Sequence, residues 1–130
     1  MTERFDKYLV DSNLITYHLN GEDKATKFLK NNISRLSISR VTFIEVMSFE
    51  FTEEEKKNVL SLLRQFEILD TTEAIAMQAL KNRTLKKIKI ADNIIASTAQ
   101  VNHLILATRN VKDFNQVDLR LLNIFEADVG

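Results

Sequence analysis

The chain reads as an α/β protein, a three-layer α/β/α sandwich around a mainly parallel central sheet. Short apolar runs at Tyr8-Leu9-Val10, Leu36 to Ser39 and Leu104-Ile105-Leu106-Ala107 have strand character, and each is closed by residues that favour turns or helix caps. Helical segments of ten residues or more separate the strand-like runs, the connection length that parallel strands require. With two glycines, no proline and no repeat or low-complexity tract, nothing marks an internal boundary, so residues 1–130 read as a single domain.

Tyr8-Leu9-Val10 forms the first strand and Asp11-Ser12-Asn13 closes it, which puts Asp11 at its carboxyl end. From Glu22 to Ile33, Ala25, Phe28, Leu29 and Ile33 recur at helical spacing with charges between them. Leu36 to Ser39 is the second strand. Ser39 is a candidate N-cap for a helix through Val41, Phe43, Ile44, Val46 and Met47, with Glu45 its odd polar residue about two turns in. Glu53-Glu54-Glu55 suits the positive end of a helix dipole, and Val59, Leu62, Leu63 and Phe66 form the buried stripe behind it.

Glu67 to Leu69 is a short third strand. Thr72 and Glu73 open a helix through Ile75, Ala76, Ala79 and Leu80, and the basic stretch Lys81 to Lys89 follows. Ile90-Ala91-Asp92 leads into an apolar helix marked by Ile94, Ile95, Thr98 and Ala99. Leu104 to Ala107 is the clearest strand, ended by Thr108-Arg109-Asn110, and a weaker one lies near Leu121 to Phe125.

Composition narrows the chemistry. Apolar residues at 45% and charged residues at 28% describe a chain that folds without help. The 18 basic and 18 acidic side chains cancel, so any nucleic-acid contact has to be local. With no cysteine, thiolate chemistry and disulfides are excluded, and the two histidines, His18 and His103, lie far apart in different surroundings, which argues against a histidine zinc site or a Ser-His-Asp triad. The N-terminus, Met1 to Lys7, is charged and lacks a secretory core, and no apolar run approaches the roughly 18 residues needed to cross a bilayer, which predicts a cytoplasmic protein with no membrane partner.

Four acids stand out: Asp11, Glu45, Asp92 and Asp113. Each has a plain explanation alone: helix N-cap for Asp11 and Asp92, turn former for Asp113, exposed helix residue for Glu45. Their joint placement says more, because the carboxyl ends of parallel strands face one crevice, and Glu45 can reach it from a neighbouring helix. Crowded carboxylates repel and call for a cation. An all-oxygen ligand set selects Mg²⁺ or Mn²⁺ over zinc, and phosphodiester hydrolysis is the matching chemistry. Ser12, Asn13 and Thr108 can support the carboxylates or their waters, although small polar residues at strand ends also serve as caps. In the basic stretch, Lys81, Arg83, Lys86, Lys87 and Lys89 lead into Asp92 and can track an RNA backbone; the competing reading is a solvated helix end. Arg109 is a further cation beside the acids.

Four pieces, in order, carry a family resemblance: Tyr8-Leu9-Val10-Asp11-Ser12-Asn13, Ile38 to Val46, Asp92-Asn93-Ile94-Ile95-Ala96-Ser97-Thr98-Ala99, and Leu106-Ala107-Thr108-Arg109-Asn110-Val111-Lys112-Asp113-Phe114. Over nearly its whole length the chain resembles a PIN domain, and in particular the VapC-type ribonuclease toxins of toxin–antitoxin pairs. The resemblance implies Asp11, Glu45 and Asp92 as the main metal-binding, catalytic acids, with Asp113 as the fourth; Asn110 is the other residue able to complete the shell through water. It also implies RNA cleavage by Mg²⁺-activated water, a cognate antitoxin that covers the acidic cleft, and a homodimer.

Two departures from the family pattern and two rival readings bear on this. Relatives often place an acid where this chain has Asn110, and glycines where it has Leu85 to Ala91. A phospho-accepting receiver would need an acidic pair after the first strand, where this chain has Ser12 and Asn13. A catalytically inactive PIN-fold protein or RNA binding module is the other alternative, and the intact acids argue against it.

Overall fold

The computed structural model describes residues 6–126, so the expectation about the charged N-terminus falls largely outside it. Five parallel strands form one sheet in the order β3-β2-β1-β4-β5: β1 Tyr8–Val10, β2 Leu36–Ser39, β3 Glu67–Leu69, β4 Ile105–Ala107 and β5 Leu121–Leu122. Tyr8 stands opposite both Leu36 and Ile105, which makes β1 the middle strand. Among the described residues, six α-helices surround the sheet: α1 Ser12–Leu19, α2 Asp23–Asn32, α3 Arg40–Met47, α4 Glu53–Leu63, α5 Glu73–Leu85 and α6 Ile90–Val101.

Strand alternation divides the core into two layers. Val10, Leu36, Ile38 and Ala107 point to one side and pack with Leu14, Ile15, Leu29, Val46, Val59 and Leu63 of α1 to α4. Their neighbours Leu9 and Leu106 point the other way, onto Ile95, Ala96 and Ala99 of α6 and onto Phe114. Successive side chains of a strand face opposite sides, so helices cover both faces and the sandwich has three layers.

The helix starts follow cap chemistry. Ser39 Oγ accepts from the Val41 N–H at 3.0 Å and starts α3. Thr52 and Glu55 form a reciprocal capping box ahead of α4, whose first turn holds Glu53, Glu54 and Glu55. Thr72 caps α5 through the Ile75 N–H.

The structure differs from the sequence reading in four places. Ser12 and Asn13 do not merely close β1: they open α1, for which Asp11 is the N-cap. The α4 helix ends at Leu63, so Phe66 reaches the same core from beyond the helix end. The α5 helix runs to Leu85, placing Lys81 and Arg83 in its last turns and leaving only 86–89 as a connecting segment. Asp92 is not an N-cap, a position held by Lys89, but lies in the first turn of α6. Among the described residues, no helix is long and apolar enough to cross a membrane. Phe43, Met47 and Phe51 pack against the core, whereas Phe49 is exposed.

Candidate active site

In this strand order the chain leaves β1 towards β2 on one side, while β4 enters on the other, so the carboxyl ends of β1 and β4 flank a topological switch point. Asp11 and Thr108 are the residues immediately after those two strands. The Asp11 N–H continues the ladder by donating to the Ala107 carbonyl at 3.0 Å, and the Thr108 N–H donates to the Leu122 carbonyl at 3.0 Å. Both backbones are thereby fixed by the sheet before either side chain does anything.

Asp11 is 5% exposed. Its Oδ1 accepts from the Ser12 N–H at 2.8 Å, and its Oδ2 accepts from Thr108 Oγ1 at 2.8 Å. Thr108 Oγ1 in turn accepts from Asn13 Nδ2 at 3.3 Å and from the Asn110 N–H at 3.0 Å. Ser12, Asn13, Thr108 and Asn110 therefore all act on Asp11 directly or through one hydroxyl. Asn110 contributes its backbone to this network.

Two of the acids, Asp11 and Asp92, have raised carboxyls. Burial pushes the Asp11 carboxyl up to about 6, and the negative charges of Asp92 and Glu45 push in the same direction against the two hydrogen bonds. The Asp92 carboxyl is also raised, by burial first and then by Asp113, while Lys89 pulls it back. Asp92 and Asp113 line one groove of about 160 Å³ with Lys86, Lys87, Ile88 and Lys89. Asp113 sits in a 3₁₀ turn, Val111–Phe114, held close to the sheet by buried Phe114. Glu45 comes from α3, and its Oε1 is buried without a hydrogen-bond partner, as is Oδ1 of Asn13.

Buried acceptors without donors, and carboxyls raised first by burial and then by neighbouring acids, are what a cation would relieve, and the donors on offer are oxygens alone, which suits Mg²⁺ or Mn²⁺. Among the described residues, no group of three or more His, Cys, Asp or Glu side chains is placed closely enough to hold a metal ion, so the structure does not gather Asp11, Glu45, Asp92 and Asp113 into one ligand set.

The other sequence candidates separate clearly. Lys86 Nζ donates to the Lys112 carbonyl at 3.0 Å and to Asn115 Oδ1 at 3.2 Å. Arg109 lays its guanidinium over Tyr17 and Phe125, 5.1 and 4.6 Å from the ring centroids. Lys87 and Lys89 are exposed.

Sequence reasoning passes over a buried amide cluster behind Asp92. Asn82 Nδ2, on α5, shares its two protons among Asn93 Oδ1 and Ser97 Oγ, each at 3.0 Å, and Gln100 Oε1 at 2.8 Å, all on α6; Asn93 Nδ2 donates to the Ala79 carbonyl at 2.9 Å. Asn93 adjoins Asp92, so the cluster fixes the helix turn that carries the acid. The signal in the sequence is faint: Asn93, Ser97 and Gln100 recur at helical spacing on α6, while Asn82 lies among the charged residues that end α5.

The profile of the family described as "PIN domain" matches residues 8–119, from the start of β1 almost to β5. The chain belongs to the PIN domain family. It is 35% identical over 113 residues to Ribonuclease VapC10 of Mycobacterium tuberculosis, covering 82% of this chain and 84% of that protein. It is similar in structure to a chain of a toxin–antitoxin complex from Klebsiella pneumoniae, with a TM-score of 0.82 and 29% identity, covering 91% of this chain and 98% of the other. VapBC2 from Rickettsia felis, bound to a DNA fragment from its promoter, gives a TM-score of 0.77 at 25% identity, with coverage of 89% and 97%. A PIN domain of the VapC-like kind is thus shown by fold and by sequence together.

Proposed function

We propose that this PIN domain is a VapC-like toxin, a Mg²⁺- or Mn²⁺-dependent endoribonuclease acting in the cytoplasm and restrained by a cognate antitoxin. The observation that carries the reading is buried Asp11 at the switch point, its carboxyl raised by burial and by the charges of Asp92 and Glu45, with Asp92 raised by burial and by Asp113, in a chain 35% identical to a ribonuclease. Asp11, Glu45 and Asp92 would hold the ion, with Asp113 as the fourth acid. The bound cation would supply Lewis-acid stabilisation of phosphate charge and activate water.

The chain's own residues supply the rest. Thr108 and the Ser12 N–H orient the Asp11 carboxylate, and the amide cluster at Asn82 fixes the turn bearing Asp92. Burial of Asp11 keeps its charge in a low-dielectric setting where it acts strongly on a cation.

Cleavage of a mixed RNA pool with and without Mg²⁺ or Mn²⁺, with Asp92→Asn as control, tests the proposal. Metal-dependent cleavage that the substitution abolishes is the expected result. Undiminished cleavage by the variant refutes the site, and RNA binding without cleavage under any metal favours a binding module. The antitoxin is inferred from structural relatives solved as toxin–antitoxin assemblies, and a small adjacent open reading frame whose product co-purifies with this chain would bear it out. Sedimentation of the purified protein tests the homodimer.

A further inference from the structure

The segment between α5 and α6 is short, extended and basic: Lys86, Lys87, Ile88, Lys89. Both of its ends have extended backbone, with Lys86 at φ −153° and ψ 142° and Lys89 at φ −60° and ψ 145°. In extended chain, alternate side chains face opposite ways, and exposure follows that rule here. Lys86 is half-buried and Ile88 is buried, whereas Lys87 and Lys89 are exposed.

The inward pair is anchored. Lys86 is tied to Lys112 and Asn115, as described above, and so joins the segment to the 3₁₀ turn that carries Asp113. Ile88 packs in the core layer beside α6, and its carbonyl accepts from Arg83 Nη1 at 3.3 Å. The outward pair has no such anchor: among the described residues, neither the Lys87 nor the Lys89 side chain makes a hydrogen bond or a salt bridge, although the Lys89 carbonyl accepts from the Asn93 N–H at 2.8 Å and the Lys89 charge acts on Asp92. All four residues of the segment line the groove that also contains Asp92 and Asp113, and of its three lysines 87 and 89 are the exposed ones. Two residues of extended chain set their positions about 6.6 Å apart, a spacing that suits consecutive phosphates of a single strand.

Resting on the nuclease reading, we propose that residues 86–89 form a phosphate rail, on which Lys87 and Lys89 hold consecutive backbone phosphates of single-stranded RNA beside Asp92, while Lys86 latches the rail and touches no RNA. A basic segment usually marks only a solvated surface. Here the ammonium of one lysine of three is held by the protein, and the other two, two residues apart, are exposed beside Asp92 and Asp113.

Binding of a fluorescently labelled mixed-sequence single-stranded RNA, with Ca²⁺ in place of Mg²⁺ and the RNA checked to be intact on a gel, reads this out as affinity against salt. Each phosphate contact on a single strand contributes about 0.7 to the slope of log affinity against log salt. The Lys87→Gln, Lys89→Gln double variant is expected to lose about 1.4 from the slope. Lys86→Gln is expected to keep the wild-type slope while melting at a lower temperature. A wild-type slope in the double variant, or an equal loss of slope in Lys86→Gln, overturns the rail. Absence of any salt-dependent binding by the wild type would instead bring down the nuclease reading beneath it.

Discussion

Thr108 Oγ1 donates to Asp11 Oδ2 at 2.8 Å, and it is the only proton that hydroxyl has to give. Asn13 Nδ2 and the Asn110 N–H both donate to the same oxygen, so the hydroxyl cannot turn towards them and must point at Asp11. One buried hydroxyl thus decides the orientation of the carboxylate and connects the ends of β1 and β4.

Thr108→Val keeps the shape and removes the proton. It strands Asp11 Oδ2 and two N–H donors, and the expected cost is about 1–3 kcal/mol of stability. Mn²⁺ affinity should fall about tenfold or more, the usual consequence of losing an outer partner of a metal ligand. Urea unfolding and Mn²⁺ titration by electron paramagnetic resonance measure the two effects, and Thr108→Ser should restore most of both.

The metal-free protein should become less stable as pH rises through weakly acidic values. Asp11 lies at about 6 in the fold against 3.8 as a free side chain, so between those values the folded state holds more protons than the unfolded. Stability is then full below pH 3.8 for this group, falls as pH rises through the window, and levels off above about 6. The difference amounts to about 3 kcal/mol. Asp92, also raised, acts in the same direction. Thermal melts at pH 4.5 and 7.5 check the sign, and saturating Mg²⁺ should flatten the dependence.

Asp11→Asn should abolish cleavage yet raise the melting temperature of the metal-free protein at pH 7.5. The amide removes a buried charge and still caps α1 through its oxygen, but it leaves Thr108 short of an acceptor, so the expected gain is about 1–2 kcal/mol. Calorimetry with and without Mg²⁺ would show the variant no longer responding to the ion.

Asn82→Ala should be among the more destabilising substitutions outside the acids. It leaves Asn93, Ser97 and Gln100 without their shared donor in the α5–α6 contact, for an expected loss of about 2–4 kcal/mol. Denaturant unfolding measures it, and Asn82→Gln, which lengthens the arm, should recover little.

The legible part of the fold is the part governed by local periodicity. β1, β2 and β4 read directly as apolar runs, and Ser39 and Thr72 read as caps, because their chemistry acts over two or three residues. α1 is not legible: it follows Asp11 with no spacer, so Ser12 and Asn13 carry a turn signal into a helix start. Position along strands and helices places the four acids, but the groups that orient them come from far away. Thr108 is 97 residues from Asp11, and Asn82 is 11 from Asn93. The contacts of Lys86 with Lys112 and Asn115, and of Arg109 with Tyr17 and Phe125, are likewise with distant partners, which no spacing rule contains.

The middle position of β1 also means that the polypeptide divides into two structural halves. Everything up to Leu69 builds β1, β2 and β3 and supplies Asp11 and Glu45, while everything from Glu73 onward builds β4 and β5 and supplies Asp92 and Asp113. The register of Tyr8, Leu9 and Val10 against Ile105, Leu106 and Ala107 is the sheet's only seam between them. A chain severed at Asp70 to Thr72 would therefore yield two fragments, neither with a complete acid set. Restored cleavage on mixing them would report their reassociation along that seam.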